Sequence, residues 1–352
     1  MPINAVVPFL FLALVPLGYC VGEAVSWLTV PVLFAAFATF EIVPGPDIDE
    51  TPTAYPMFAY RVPIWTYIAA QLAAIIWGIE AASQATAGGG VVGLAISTGA
   101  AAGVFGMLAA HEMIHSRHRG ERVLGLAMLA GVTYMHFRIS HLHGHHRRAA
   151  TREDPATARQ GENAYRFVFR SAAGQLVEAW RYERRRTRGN PWPIAGNRVH
   201  RYLAFSLGVY AAIAVFFGWR GVAFELVQSV TAVFILELFN YVAHYGLMRR
   251  TSPEGRLEPL GSWHSWNVVH RVDNSLLFNS GRHTYHHRAP ALPCQRLRAV
   301  EHTPQLPFGF AGSILLALIP PLWRRIMDPK VDYWMAASPI GAPWPVTAAP
   351  GS

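Results

Sequence analysis

Long apolar stretches separated by short polar connections dominate the chain. A helix that crosses a bilayer needs about 20 mainly apolar residues, and six stretches reach or approach that length. They are residues 5–22, 24–43, 63–82, 88–110, 202–219 and 221–243. They pair as three hairpins, with a long polar segment between the fourth and the fifth stretch. This pattern predicts an all-α protein built on a bundle of six transmembrane helices.

Two further apolar stretches are shorter. They cover residues 123–135 and 308–323, and the second contains Pro320 and Pro321. Neither matches a full bilayer crossing. We therefore expect interfacial or re-entrant segments, with a seventh span over 308–323 as the alternative.

Composition agrees with a membrane protein. The 352 residues are 52% hydrophobic and 14% charged, with a mean hydropathy of +0.22. Soluble domains carry roughly 25% charged residues. The net charge of +9 comes from arginine, because Lys330 is the only lysine. These arginines flank apolar spans, so membrane topology explains the charge and no nucleic-acid partner is expected.

The arginine distribution predicts how the chain is oriented. Arginines concentrate after the fourth and sixth apolar stretches, and positive charge marks the cytoplasmic side of a membrane. We expect a single multi-pass domain in the inner (cytoplasmic) membrane with both termini cytoplasmic. Residues 111–200 and 244–335 would form a cytoplasmic helical cap, and 336–352 a loose tail. Residues 180–188 fit either a basic amphipathic segment at the lipid surface or a solvated charged loop.

Histidines occur in three clusters with a fourth element nearby. The clusters read H-E-M-I-H at 111–115, H-L-H-G-H-H at 141–146 and H-T-Y-H-H at 283–287. Spacing four places two rings on one face of a helix, and neutral imidazole is the commonest metal ligand. One metal cannot use nine imidazoles, but two metals can share them. The candidate ligands are His111, His115, His141, His145, His146, His244, His283, His286 and His287.

The remaining histidines are predicted to lie outside a metal site. They are His118, His136, His143, His200, His264, His270 and His302. His143 stands two positions from both His141 and His145, which places it on the opposite side of a helix.

Two other functions fit part of this pattern. H-E-x-x-H is a zinc metalloprotease motif in which Glu112 would be the general base, but a protease leaves six candidate histidines unexplained. A metal transporter would carry histidines at mid-membrane along a pathway, whereas these lie at span ends and in the cap.

Several motifs together resemble those of one family. Besides the histidine clusters, the chain contains N-Y-V-A-H-Y-G-L at 240–247, E-D-P-A-T-A-R at 153–159 and P-Q-L-P at 304–307. It resembles the membrane-bound non-haem diiron alkane hydroxylases and their xylene monooxygenase relatives, whose wider relatives are the membrane fatty-acid desaturases. The resemblance extends from the first span to about residue 335.

The resemblance implies two non-haem iron ions held by the nine histidines, with Glu112 and Asn240 as further residues of the catalytic site. It implies insertion of one oxygen atom from O2 into a terminal or benzylic C–H bond of a hydrophobic substrate. Desaturation or decarboxylation of a fatty acid is the alternative reaction in the same superfamily. Three positions depart from the family pattern beside the ligands, namely Ala243, Thr284 and Tyr285.

Electrons must come from outside the chain. Cys20 and Cys294 are the only cysteines, and there is no C-x-x-C motif for an iron–sulfur centre. The resemblance implies a rubredoxin or a ferredoxin-type carrier with its reductase. We expect an acidic carrier to dock on the arginine-rich face near Arg117, Arg147 and Arg148.

Overall fold

The structure, a computed structural model, describes residues 6–42, 57–86, 88–190 and 192–337. Within those ranges, helices are the only regular elements besides two isolated bridges, Thr251 with Leu257 and Asn267 with Gln305. The all-helical prediction is therefore confirmed for this part of the chain.

Fourteen numbered helices follow one another along the described residues, besides a short 3-10 helix at Cys294–Arg296. Phe137–Ser140, His141–His145 and His146–Arg148 are consecutive and together form α7. The elements are α1 (Val7–Val21), α2 (Glu23–Ser26), α3 (Thr29–Ile42), α4 (Met57–Gln84), α5 (Gly89–His115), α6 (Arg119–Ala130), α7, α8 (Ala164–Arg186), α9 (Pro193–Gly196), α10 (Arg198–Ala243), α11 (Arg271–Leu276), α12 (His283–Arg288), α13 (Phe310–Ala317) and α14 (Pro320–Ala337).

Three of these helices are long and apolar enough to cross a membrane. They are α4, α5 and α10. The first two predicted spans contain α1 and α3, which have 15 and 14 residues. Both are shorter than the roughly 20 residues that a crossing requires. Six spans therefore remain a prediction.

Helix α10 is two helices joined at Gly218. Gly218 has φ 67° and ψ −172°, which is not helical. The hydroxyls of Tyr210 and Ser229 each lie 3.4 Å from Thr133 Oγ1, although a straight helix would separate them by about 28 Å. The chain therefore reverses at Gly218 into α10a (198–217) and α10b (219–243), as two separate apolar stretches predict.

Helix α5 lies at the centre of the bundle. The Phe105 ring packs against Phe11 of α1, Phe37 of α3 and Tyr67 of α4, with centroids 5.9 to 6.2 Å apart. Each such pair contributes about 0.5–1.5 kcal/mol beyond area burial. Gly99 and Gly103 face α10b at a spacing that permits close helix packing. This packing fixes the end of α5 that carries the first histidine cluster.

Helices α6 and α7 form a helical hairpin beside α5. Gly125 of α6 lies against Ala110, and Met128 lies against Gly106, so α6 runs antiparallel to α5. The Gln228 amide donates to the carbonyl of Gly131 at the tip of the hairpin, 2.7 Å away. A buried backbone carbonyl beyond the end of a helix needs such a hydrogen-bond partner. The interfacial or re-entrant placement expected for 123–135 stays a prediction.

The apolar stretch 308–323 is not one continuous helix. It divides into α13, which has eight residues and a length of about 12 Å, and the start of α14 at Pro320. Helix α13 is too short to cross a bilayer, because a crossing needs about 30 Å.

Residues 180–186 are the last turns of α8 and not a loop. Burial raises the pKa of Glu183, but hydrogen bonds from Arg186 and Arg198 outweigh burial and lower this pKa to about 2. The ionised carboxylate lies 2.8 Å from Arg186 and 2.6 Å from Arg198. It joins the end of α8 to the start of α10, so the solvated-loop alternative is wrong.

Candidate metal centre

The fold brings the nine candidate histidines together from four elements: α5, α7, the end of α10b and α12. They divide into two groups, and within each group the candidate ligand atoms lie within 4.8 Å of one another. The five-histidine cluster consists of His111, His115, His141, His146 and His286. The four-histidine cluster consists of His145, His244, His283 and His287.

The division into clusters depends on the winding of α7. Residues His141–His145 form a π-helical turn, which is wider than an α-helical turn. His141 and His146, five positions apart, therefore enter the same cluster, and His145 enters the other. The histidines of α12 are divided similarly. His286 belongs to the five-histidine cluster, whereas His283 and His287 belong to the four-histidine cluster. Spacing four alone does not predict this division.

Three nitrogen atoms form a triangle in the five-histidine cluster. The Nε2 atom of His141 lies 3.0 Å from those of His115 and His146, which are 3.2 Å from each other. A neutral ring nitrogen is either a donor or an acceptor. At least two of the three nitrogen atoms must therefore both be donors or both be acceptors. The contact between those two cannot be a hydrogen bond. A shared cation accepts all three lone pairs, and ligands about 2.1 Å from one metal lie about 3 Å apart.

The four-histidine cluster contains a second triangle. The Nε2 atoms of His244, His283 and His287 lie 2.9, 3.2 and 3.3 Å from one another. The same argument excludes three simultaneous hydrogen bonds. The donor sets of both clusters thus fit a metal ion that prefers imidazole nitrogen.

Asp154 orients the fourth member of this cluster. Its carboxylate lies 2.8 Å from Nδ1 of His145 and also accepts a hydrogen bond from the Thr157 hydroxyl, 2.6 Å away. Because Nδ1 of His145 is hydrogen-bonded to this carboxylate, its Nε2 atom remains available to bind a metal, as in carboxylate–histidine–metal arrangements. Asp154 belongs to the motif at 153–159, but its role was not predicted from the sequence.

Burial keeps His283 and His286 neutral. Desolvation, assisted by repulsion from His145 and His111, lowers the pKa of His283 to about 3. Desolvation likewise holds the pKa of His286 well below its usual value. Neutral imidazole is the form that binds a metal, so these side chains need not lose a proton before binding.

One apolar cavity adjoins both clusters. Its volume is about 50 Å³, several times what a water molecule needs. His111, His141 and His286 of the five-histidine cluster and His283 of the four-histidine cluster contribute to its wall. Most of the remaining wall is hydrophobic: Leu108, Phe137, Leu236, Phe239, Ala243, Phe278, Leu297 and Phe310.

Glu112 and Asn240 both line this cavity. Glu112 accepts a hydrogen bond from the backbone N–H of Cys294, 3.1 Å away. The Asn240 amide donates to Glu237, 3.2 Å away, and Glu237 also accepts from Tyr134. Glu237 was not predicted as part of the site, although a buried acid within an apolar span is a recognisable signal.

Comparison with known proteins agrees with this geometry. A sequence model of the fatty acid desaturase family matches residues 85–313. Alkane 1-monooxygenase 1 of Pseudomonas aeruginosa is 37% identical over 83% of this chain and 78% of its own length. Alkane 1-monooxygenase 2 of the same species is 34% identical over 91% of this chain and 88% of its own length.

The chain belongs to the alkane hydroxylase family.

It is thus an oxygen-dependent monooxygenase. The xylene/toluene monooxygenase hydroxylase component XylM of Pseudomonas putida is a more distant relative, 30% identical over 69% of this chain and 65% of its own length. The zinc protease interpretation is wrong: His111 and His115 belong to a five-histidine cluster, and Glu112 binds a backbone amide.

The seven histidines predicted not to be ligands lie outside both clusters. His143 lies outside because its side chain points toward another helix. Its ring stacks on Tyr182 of α8, with the centroids 4.4 Å apart and the planes 5° from parallel. It therefore points away from its neighbours His141 and His145, as the two-residue spacing predicts.

The three departures of this alkane hydroxylase from the family pattern have different surroundings. Ala243 lines the apolar cavity. The Thr284 hydroxyl instead lies 2.8 Å from Ser265 and from the amide of Asn267, and Tyr285 is buried. Only the substitution at Ala243 changes the described cavity wall, so it bears most directly on substrate fit.

The arginines predicted to dock a carrier belong to two separate surfaces. Arg117 lines a polar cavity of about 250 Å³, together with Arg61 and Arg296, and this cavity reaches Glu112 and His115. Arg147 and Arg148 line a different groove of about 450 Å³ between α7 and α8, which we call the α8 groove. Arg117 therefore lines a different cavity from Arg147 and Arg148, and carrier docking on these arginines stays a prediction.

Proposed function

We propose that the two clusters each hold one non-haem iron and that the enzyme hydroxylates a terminal or benzylic C–H bond of an alkane or alkyl-aromatic. The observation that carries this proposal is the pair of nitrogen triangles beside one apolar cavity. The names of the relatives, which refer to alkanes and to xylene or toluene, support the substrate class.

The chain's own residues prepare the site for this reaction. Bound iron would supply O2 activation, because side chains alone cannot oxidise an unactivated C–H bond. The phenylalanine and leucine side chains of the cavity wall hold the hydrocarbon and exclude water. Asp154 fixes the tautomer of His145. Substrate, O2, two electrons and two protons give an alcohol and water, so the balance requires an external donor.

Labelled O2 tests the reaction. Purified enzyme loaded with iron is given octane, ethylbenzene or palmitate with 18O2 and a reducing system. We expect 18O in a primary or benzylic alcohol, because one oxygen atom enters the product. An unlabelled alkene as the main product would instead establish desaturation or decarboxylation and contradict the proposed hydroxylation.

We also propose six spans in the inner membrane, with both termini and the metal centre on the cytoplasmic side. The arginines after α5 and after α10b support this orientation. Alkaline phosphatase, which is active only in the periplasm, is fused to residue 352. We expect no phosphatase activity there and strong activity from a fusion inserted after Gln84. Activity at residue 352 as well as after Gln84 would require an odd number of spans.

We further propose that a rubredoxin or ferredoxin-type carrier docks over the polar cavity at Arg117. Candidate ligand His115 lies in the lining of that cavity, which gives electrons a short path to the five-histidine cluster. Arg117 and Arg296 are exposed, and an acidic carrier complements them.

Charge reversal distinguishes the two arginine surfaces. Arg117→Glu is expected to raise the KM for the carrier about tenfold at low salt, and the difference should shrink as salt screens the charges over about 8–10 Å. Arg147→Glu, on the α8 groove, serves as the matched control and should leave this KM unchanged. A raised KM in Arg147→Glu alone would place the carrier on the other surface.

A further inference from the structure

Helix α8 presents one exposed stripe whose chemistry changes halfway along the helix. Residues four positions apart lie on the same face of a helix. The exposed positions at this spacing are Tyr165, Phe169, Ala173, Val177, Arg181 and Arg185. The first four are mainly apolar and the last two are basic, so one continuous face passes from hydrocarbon to guanidinium.

The two halves of the stripe lie at different depths beside α10. The Tyr165 ring stacks against Phe234 of α10b, with centroids 6.4 Å apart. Phe234 is about 13 Å from the end of that helix at Ala243. At the other end of α8, Glu183 pairs with Arg198, the first residue of α10. The apolar half therefore adjoins the interior of α10b, and the basic half adjoins the polar start of α10a.

The α8 groove lies at this basic end. It has a volume of about 450 Å³, and two glutamates, Glu153 and Glu178, line it beside a larger number of arginines. The guanidinium group binds phosphate with two parallel hydrogen bonds. The arginines of the groove are Arg147, Arg148, Arg152, Arg159, Arg170, Arg181 and Arg185.

Exposed apolar residues continue just beyond α8. The side chains of Trp192 and Ile194 are 73% and 71% exposed, and Phe169 on the stripe is 78% exposed. Tryptophan is enriched where a membrane meets water. Large apolar side chains in these positions cost free energy in water but not against lipid, which favours a lipid surface over a soluble partner.

We propose that the α8 groove binds the headgroup of an anionic phospholipid, with the acyl chains lying along Val177, Ala173 and Phe169. The arginines supply the charge complementary to the phosphate and its anionic substituent. The exposed apolar half of the stripe supplies a surface of matching depth for the chains. No cluster histidine takes part, so the proposal does not depend on the reaction proposed above.

Lipid titration monitored by native mass spectrometry tests this site. The iron-loaded enzyme in detergent is titrated with phosphatidylglycerol or phosphatidylcholine, and the bound lipids are counted. We expect a preference of about tenfold for phosphatidylglycerol. The double variant Arg181→Gln/Arg185→Gln should lose that preference. Arg166→Gln removes one charge from the same helix outside the groove and should retain it.

Two results would overturn the proposal. One is equal binding of the two lipids by the unaltered enzyme, a measurement that needs no variant to fold. The other is a double variant that keeps its preference for phosphatidylglycerol while the KM for the electron carrier rises, which would assign the groove to a protein partner. Iron content measured in the same samples reports the metal centre separately, so failure of the proposed reaction is distinguishable from failure of lipid binding.

Discussion

Replacing His141 with alanine is expected to abolish turnover and to lower the iron content from about two ions per chain to about one or fewer. The Nε2 atom of His141 lies 2.9 to 3.0 Å from those of His111, His115 and His146. Its removal therefore takes away the nitrogen that makes three of the shortest contacts in the five-histidine cluster.

His143→Ala is the matched control for this experiment. His143 is two residues from His141 on the same helix, but its ring stacks on Tyr182. We expect this variant to retain its iron, and elemental analysis with single-turnover kinetics compares the two proteins. Equal iron and equal turnover in both variants would refute the assignment of the five-histidine cluster as a metal site.

Asp154→Asn is expected to weaken iron binding or activity by about 10- to 100-fold, the usual effect of losing a group that orients a metal ligand. The carboxylate holds Nδ1 of His145 at 2.8 Å and is itself held by Thr157 and by the backbone of Ala156. Asparagine keeps the shape but can turn its amide N–H toward Nδ1, which selects the wrong tautomer of His145.

Competition with a chelator measures this change in iron affinity. Glu153→Gln removes the same charge from the neighbouring residue, which is exposed, and should behave as the unaltered enzyme. The KM for the hydrocarbon should remain unchanged in Asp154→Asn, because Asp154 does not line the described cavity. Unaltered iron affinity in Asp154→Asn would show that Asp154 does not orient a ligand.

The helical class and the identity of the nine candidate ligands could be predicted from local sequence. Apolar stretches of membrane length predict helices wherever they occur, and histidines repeated within a few residues beside apolar helices indicate metal ligands. The break at Gly218 also agrees with a polar connection between two apolar stretches. Each of these properties depends on residues that are close together in the chain.

Helix lengths near the start of the chain could not be predicted in this way. The first two predicted spans contain the short helices α1 and α3. Hydrophobicity measures the preference of a segment for an apolar environment, and packing against Phe105 of α5 supplies that environment as lipid would. Composition therefore does not distinguish a buried helix from a complete crossing.

Only the tertiary structure decided how the site is partitioned. The sequence by itself determined which side chains are available as ligands, because their chemistry belongs to each residue. The π-helical turn in α7 decided that His145 separates from His141 and His146. Folding likewise decided that Asp154 meets His145 and that Arg117 and Arg147 line different surfaces. The physical reason is that convergence at a point depends on helix winding and on contacts between distant segments, which no local spacing specifies.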